Sequence, residues 1–282
     1  MPNSELLQRP TAASARKIHT ITILGGQGKN HLPEPVRQVD LKMGDILSVV
    51  GPTGCGKTTL INDIELYANG NTPTGRTVLI NGELPPEDYS ADPSSNPIAL
   101  ISQHTNFLSD LPVHEFLKTH ARIRGVESIA RAVEETVSFA NQLTGEPIIL
   151  ENAMTELSGG QTRSLLIADA IVIGNSPIIL LDEIENAGIH RTRALELLRG
   201  YEKIFIFVTH DPRIALLSDY RIVMRDGAMQ KLIVTNGEEK GVAQEIRKLD
   251  DLLLGLRQRI RSGEELDSRQ VRQQLRGLAY AS

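Results

Sequence analysis

The stretch Ile46-Leu47-Ser48-Val49-Val50-Gly51-Pro52-Thr53-Gly54-Cys55-Gly56-Lys57-Thr58-Thr59 decides the fold. Ile46 to Val50 is a mostly apolar run, the pattern of a strand buried on both faces. Gly51 to Thr58 then fits G-x-x-x-x-G-K-[ST], and a helical pattern starts near Lys57 and runs to about Tyr67. Strand, glycine loop and helix in that order are the context a phosphate-binding loop needs. Glycines let backbone N–H groups turn inward around phosphate oxygens, and the helix N-terminus adds its positive end. Gly51, Pro52, Thr53, Gly54, Cys55, Gly56, Lys57, Thr58 and Thr59 are therefore the candidate phosphate-binding residues. Lys57 is expected to reach the β- and γ-phosphates, and Thr58 to offer a hydroxyl to Mg²⁺. Cys55 has two readings. It is either a redox-sensitive thiol beside a helix N-terminus or a small residue of which only the backbone N–H matters; the motif leaves that position free, which favours the second.

Two segments farther along the chain suit the same chemistry. Ile178-Ile179-Leu180-Leu181-Asp182-Glu183 is an apolar strand ending in two acids. The carboxyl ends of parallel strands are where such sheets bind ligands. Asp182 is the candidate Mg²⁺ ligand, directly or through water, and Glu183 the candidate for polarising an attacking water. Leu157-Ser158-Gly159-Gly160-Gln161 precedes a helical pattern over Thr162 to Ile173. Ser158, Gly159, Gly160 and Gln161 form a candidate second anion site of N–H groups and a hydroxyl; the plainer reading is a helix N-cap. One phosphate chain does not need both sites in one subunit, whereas two facing subunits could use both.

In this order the motifs resemble those of an ATP-binding-cassette (ABC) ATPase over roughly residues 17 to 235. GPTGCGKTT at 51–59 resembles the Walker A loop, LSGGQ at 157–161 the signature, and IILLDE at 178–183 Walker B. Gln103 resembles the Q-loop glutamine, and His210 in Val208-Thr209-His210-Asp211 the switch histidine. The resemblance implies an α/β fold: a P-loop NTPase core with an antiparallel β part, an inserted helical subdomain and here a C-terminal helical extension. It implies ATP and Mg²⁺ as cofactors, Glu183, His210 and Gln103 as the catalytic set, and Thr58, Gln103 and Asp182 around the metal. It also implies a homodimer or heterodimer of cassettes joined head to tail, with ATP between Lys57 of one copy and Ser158 and Gly160 of the other.

Three features depart from the family pattern. The family places an adenine-stacking aromatic ahead of Walker A, but no Phe, Tyr or Trp occurs in residues 1–50. His31 is the one ring in the loop Gly25 to Pro35; it either stacks on adenine or is simply solvated, the second reading being favoured. After Walker B the chain reads Ile184-Glu185-Asn186-Ala187-Gly188-Ile189-His190, without the usual Asp in register. The helix after the signature carries Ala168-Asp169-Ala170 where the family has Ala-Arg-Ala, placing a negative side chain near the core.

The composition narrows the rest. The chain has 282 residues, 30 Lys+Arg against 35 Asp+Glu (net charge −5), one cysteine and no tryptophan. A single cysteine excludes an internal disulfide and a Cys-rich zinc site. Mild acidity argues against a nucleic-acid coat, so no nucleic-acid partner is expected. No apolar run approaches the roughly 18 residues of a spanning helix, and residues 1–16 lack the apolar core of a secretory signal. A cytoplasmic protein is expected, with a place at the inner membrane face only through a partner. The expected division is a flexible N-terminus at 1–16, the cassette at 17–235 with a helical subdomain at about 104–165, and a C-terminal helical extension at 236–282. In the extension, Val242, Ile246, Leu249, Leu253, Leu256 and Ile260 recur at spacings of four and three. A stripe this short is expected to pack on its own domain, with a dimer or partner contact as the alternative. The transporter reading, with a membrane permease subunit as partner, is the leading one. A soluble ATPase that remodels a client protein or metallocofactor enzyme is the alternative, favoured by the altered loop and the tail.

Overall fold

The computed structural model describes residues 17–91, 95–102, 105, 107, 109–183 and 191–279. Two sheets organise them. The smaller is antiparallel, in the order β2-β1-β4: β1 Thr20–Leu24, β2 Gln38–Lys42 and β4 Thr77–Ile80. The larger has six strands in the order β5-β6-β7-β3-β8-β9: β3 Ile46–Val50, β5 Ile98–Ile101, β6 Ile178–Asp182, β7 Ile204–Val208, β8 Tyr220–Arg225 and β9 Ala228–Val234. Its strands are parallel except β9, which returns from β8 through the Asp226-Gly227 turn.

The central strands are apolar because both faces are covered, as parallel sheets require. Side chains alternate between the two covers. Ile179, Leu181, Phe205 and Phe207 join one core cluster with the helices α3 Val113–Ile123, α4 Ile129–Leu143, α5 Gly159–Val172 and α6 Arg191–Leu198. Ile178, Leu180, Ile204, Ile206 and Val208 join the other, with the antiparallel sheet and α1 Lys57–Glu65. The helical segment between β5 and β6 is thus one cover of the core sheet. Its α3 and α4 are separate helices; Gly125, at φ 68°, supplies the left-handed turn after α3 that other residues adopt at a cost. The stretch 84–97 contains the short helix α2 Asp88–Ala91. α7 Pro212–Leu217 follows β7.

Asp169, the acid in place of the family's arginine, is not stranded. His120 Nδ1 of α3 lies 2.8 Å from its Oδ1, and Arg124 Nε donates to His120 Nε2 at 3.3 Å. The exchange of charge on α5 is matched by basic groups on α3.

The tail forms α8 Gly237–Arg261 and α9 Ser268–Ala279. Asn236 caps α8 by accepting from Glu239 N. α8 rests on α7 and the edge of the sheet through Arg213–Asp250 (2.9 Å), Arg221–Glu239 (2.6 Å) and the buried Ala243. This contact uses one flank of the helix, so the expected packing of the apolar stripe is only partial. Ile246 and Leu256 are half-buried, while Val242, Leu249, Leu253 and Ile260 are 47–59% exposed.

A buried ion network ties the antiparallel part to the core. The Arg76 guanidinium, with no exposure, donates to Glu34 at 2.7 and 3.1 Å and to Asp63 of α1 at 2.9 Å. Glu34 also accepts from Gly26 N and Met229 N. Removing one member of such a set leaves buried charge without compensation, at a cost of about 3–5 kcal/mol. Arg76→Met is expected to lose about that much stability in urea unfolding; a loss under about 1 kcal/mol would show that the network is not holding the two parts together.

A second buried cation sits at the opposite end of the sheet. Lys203, 7% exposed, donates to Asn175 Oδ1 at 2.9 Å and Ser176 O at 3.0 Å. Burial pushes its pKa from 10.5 down to about 8. Between those values the unfolded chain holds more protons than the folded one, so this group makes stability rise with pH across that window. Relative to Lys203→Met, the wild-type urea midpoint should therefore rise from about pH 7.5 to 10; a constant difference would refute the assignment.

Candidate functional site

The site is built at the carboxyl ends of three neighbouring strands. Asp182 of β6 is level with Val208 of β7, and Val208 is level with Val49 of β3. Adjacent strands lie about 4.8 Å apart. The segments that leave β6, β7 and β3 are therefore neighbours: Glu183 after β6, Thr209 and His210 after β7, and the glycine loop after β3.

The loop has the backbone its sequence predicts. Gly51, Gly54 and Gly56 have φ of 152°, 77° and 100°, all in the region that favours glycine. At Gly51 the approach is also close: a Cβ there would stand 2.4 Å from Met224 O and 2.7 Å from Cys55 Sγ. Gly56 caps α1, so the loop feeds straight into the helix N-terminus. Lys57 is buried, and its ammonium bends back over the loop to donate to Gly51 O (2.9 Å) and Pro52 O (3.3 Å). Pro52, Thr53, Gly54, Thr58 and Thr59 are exposed. The Cys55 thiol is buried in the core beneath the loop, an arrangement that suits the reading in which its backbone matters.

Beside this loop stand the acid and the histidine. Glu183 N donates to Val208 O at 3.0 Å, fixing Glu183 against β7. Glu183 has φ of 50°, an uncommon conformation for a residue with a side chain. Strain of order 1 kcal/mol of this kind persists where surrounding bonds hold it. Its Oε1 lies 3.3 Å from His210 Nε2. His210 is half exposed, and Thr209 behind it is buried with its N–H on Val49 O. Asp211, also buried, caps α7 by accepting from Arg213 N, which anchors the segment after the histidine. Asp182 is half-buried at the end of β6. Gln103 and the loop Ile184-Glu185-Asn186-Ala187-Gly188-Ile189-His190 lie outside the described residues, as do residues 1–16.

The segment 157–161 does not join that cluster through any contact within the described residues. Ser158 is the N-cap of α5: its Oγ accepts from Gln161 N at 3.3 Å, and Gln161 Oε1 accepts from Ser158 N at 2.9 Å. This is a capping box, with Ser158 and Gly159 left exposed. Gln161 Nε2 donates to Pro147 O, so both ends of the Gln161 amide are engaged within the chain. Gly159 and Gly160 lie in the first helical turn, where backbone N–H groups have no intrahelical partner.

Three groups at the site escaped the sequence reading. Lys29, in the loop Gly25 to Pro35, touches the glycine loop, its Nζ donating to Gly54 O at 2.8 Å. Gly227 N donates to Cys55 O at 2.9 Å, and Arg76 Nη2 to Gly227 O at 2.8 Å. His31 is exposed at φ 61° and makes only a backbone turn to Gly28 among the described residues. These contacts join positions far apart in sequence, which no local motif marks.

The ABC transporter family model matches residues 37–186 of the chain. An uncharacterised ABC transporter ATP-binding protein of Methanocaldococcus jannaschii is 52% identical over 263 residues, 93% of this chain and 100% of that one. A spermidine/putrescine import ATP-binding protein of Bacillus cereus is 30% identical over 224 residues, 77% of this chain and 66% of that protein. Among solved structures, the fold matches a dimeric post-hydrolysis ATP-binding cassette bound to ADP and Pi, with a TM-score of 0.58 at 22% identity over 77% of this chain and 99% of that one. It also matches the ADP conformation of a cassette of an ABC transporter, with a TM-score of 0.55 at 22% identity over 81% of this chain and 95% of that one. With the phosphate-loop motif, the strand-end acids and the signature set in the matching fold, the chain belongs to the ABC transporter family of ATP-binding cassette ATPases.

Proposed function

We propose that the chain is the ATP-binding subunit of a membrane transporter, and that two cassettes hydrolyse Mg²⁺-ATP between them to drive the transport cycle. Among the described residues no helix is long and apolar enough to cross a membrane, so the reading assigns the span to a permease partner. The observation that carries the hydrolytic reading is the Glu183–His210 contact of 3.3 Å beside the glycine loop. That pair sets a carboxylate and an imidazole at neighbouring strand ends, where an attacking water would stand. The high identity to an ABC transporter ATP-binding protein along nearly the whole chain supports the transporter part.

The residues suit the substrate and the ion. Thr58 and Asp182 are hard oxygen donors, the class that Mg²⁺ prefers, and Gln103 is the third donor in this reading. When bound, the ion would neutralise charge on the phosphates. Lys57 is held in place by two carbonyls of its own loop, which phosphate oxygens would outcompete as anionic acceptors. Released from them, its ammonium faces the β- and γ-phosphates. Glu183 accepts a hydrogen bond from water and aims it in line, and His210 Nε2 holds the carboxylate and the γ-phosphate in register. Transition-state charge is met by groups already oriented, the main source of rate in phosphoryl transfer. In the dimer, the exposed Ser158 and the amides of Gly159 and Gly160 from the second cassette cover the other side of the phosphates. Gln161 supports that surface through the capping box.

In this reading residues 17–235 form the cassette and 236–282 an appendage carried on α7. Hydrolysis removes the bridge between cassettes and the pair opens, which is how chemistry becomes movement. Glu183→Gln is expected to bind ATP with near-normal affinity, to lose at least about a hundredfold in turnover, and to accumulate as an ATP-bound dimer in size-exclusion chromatography. Near-normal turnover by that variant would remove Glu183 from the mechanism.

A further inference from the structure

We infer that Lys29 is a positioning residue for nucleotide binding: it braces the phosphate loop from outside and holds it in the shape that receives phosphate. The inference rests on the reading of residues 51–59 as the phosphate loop. A trans peptide points its C=O and N–H in opposite directions. Gly54 O accepts from Lys29 Nζ at 2.8 Å, and Cys55 O accepts from Gly227 N at 2.9 Å. Two successive carbonyls of the loop are thereby held outward. Of the same two peptide units, the Cys55 N–H closes the inner turn of the loop by donating to Pro52 O at 3.2 Å, and the Gly56 N–H points away from its braced carbonyl. Gly54 and Gly56 carry no side chain and lie at positive φ, so within the loop these peptides lack side-chain packing, and the brace from Lys29 adds to the turn that Cys55 N makes with Pro52 O.

The outer brace is itself held. Lys29 N donates to Asp226 O at 2.8 Å, and the Lys29 stem lies so close that a Cβ on Gly227 would stand 2.8 Å from its Cγ. Gly227 in turn offers its carbonyl to the buried Arg76 at 2.8 Å. The exposed ammonium of Lys29 is therefore mounted on a pinned stem and not on a freely rotating one. Its hydrogen bond is charge-assisted, and a cation on a peptide oxygen strengthens the donor at the opposite end of that peptide. The effect falls on the cradle that receives phosphate and not on Glu183 or His210. Lys29 should accordingly change nucleotide affinity and leave the chemical step nearly untouched.

The test uses the full chain and Mg²⁺-ADP in titration calorimetry, with steady-state ATPase kinetics alongside. Lys29→Met keeps the stem and removes the charge. It is expected to weaken ADP binding about five- to tenfold and to raise KM for ATP by a similar factor. At saturating ATP, kcat should change less than about twofold, and the nucleotide-free Tm should stay within about 2 °C of wild type. Lys29→Arg restores a cationic donor and should recover binding to within about twofold. Unchanged affinity in Lys29→Met overturns the inference, as does a loss that tracks a fall in Tm or that arginine fails to rescue. Lys57→Ala serves as the separate control: wild-type ADP affinity in that variant would overturn the phosphate-loop reading itself, whatever Lys29 does.

Discussion

The parallel pairing of β7 with β6 on one side and β3 on the other is the constraint from which the site follows. Parallel strands present the same end to the same side, and a register that levels Asp182 with Val208 and Val208 with Val49 brings three chain exits together. No loop has to travel to bring Glu183 to His210; their separation is set by hydrogen bonds between strands. The same logic extends to the far side of β3. β8 runs parallel to β3 with Val223 level with Val50, so the turn after β8 must land beside the glycine loop. The brace at Gly227 and the acid at Glu183 are consequences of one sheet order, on opposite flanks of β3.

Rigidity at this end of the molecule has a different source from rigidity in the core. The sheet is held by apolar burial on both faces, which is large in sum and indifferent to direction. The glycine loop buries little side chain beyond Cys55 and Lys57 and depends more on directed bonds. These converge on Arg76, which meets Glu34 from the β1–β2 loop, Asp63 from the helix that follows the phosphate loop, and the Gly227 carbonyl. Burying one cation with two carboxylates is costly, and apolar replacements of such sets are frequently as stable. The return is geometric: a planar guanidinium fixes three partners, of which Asp63 belongs to the helix behind the loop and Gly227 donates to Cys55 O within it.

What was legible in the sequence was what is local. The phosphate loop announces itself because strand, glycines, lysine and helix are contiguous, and the acids at 182 and 183 because they end an apolar run. Ser158 and Gln161 stand three apart at a helix start, and the structure has the capping box that this spacing allows. The brace was not legible. Lys29 and Gly54 are 25 positions apart and Arg76 and Gly227 are 151 apart, and no local pattern marks either pair. His31 is exposed, and the contact with the glycine loop belongs to a lysine two residues earlier. The tail shows the same limit. Its spacing of four and three specifies a helix with an apolar stripe, but which flank meets the cassette is decided by Arg213 and Arg221, outside the helix itself.

The acid at 169 connects the two kinds of information. On sequence alone it is a charge of the wrong sign on a buried helix face. In the fold it lies about 16.5 Å along α5 from the capped N-terminus at Ser158, at 1.5 Å per residue. Its partner His120 belongs to α3, in the helical segment that follows β5. α5 is therefore fixed near its far end to the other helices of that segment, while its near end carries the exposed signature surface. A helix of 14 residues with an intact hydrogen-bond ladder moves as a rod. The hydrogen-bonded His120–Asp169 pair thus makes that helix part of one unit with α3.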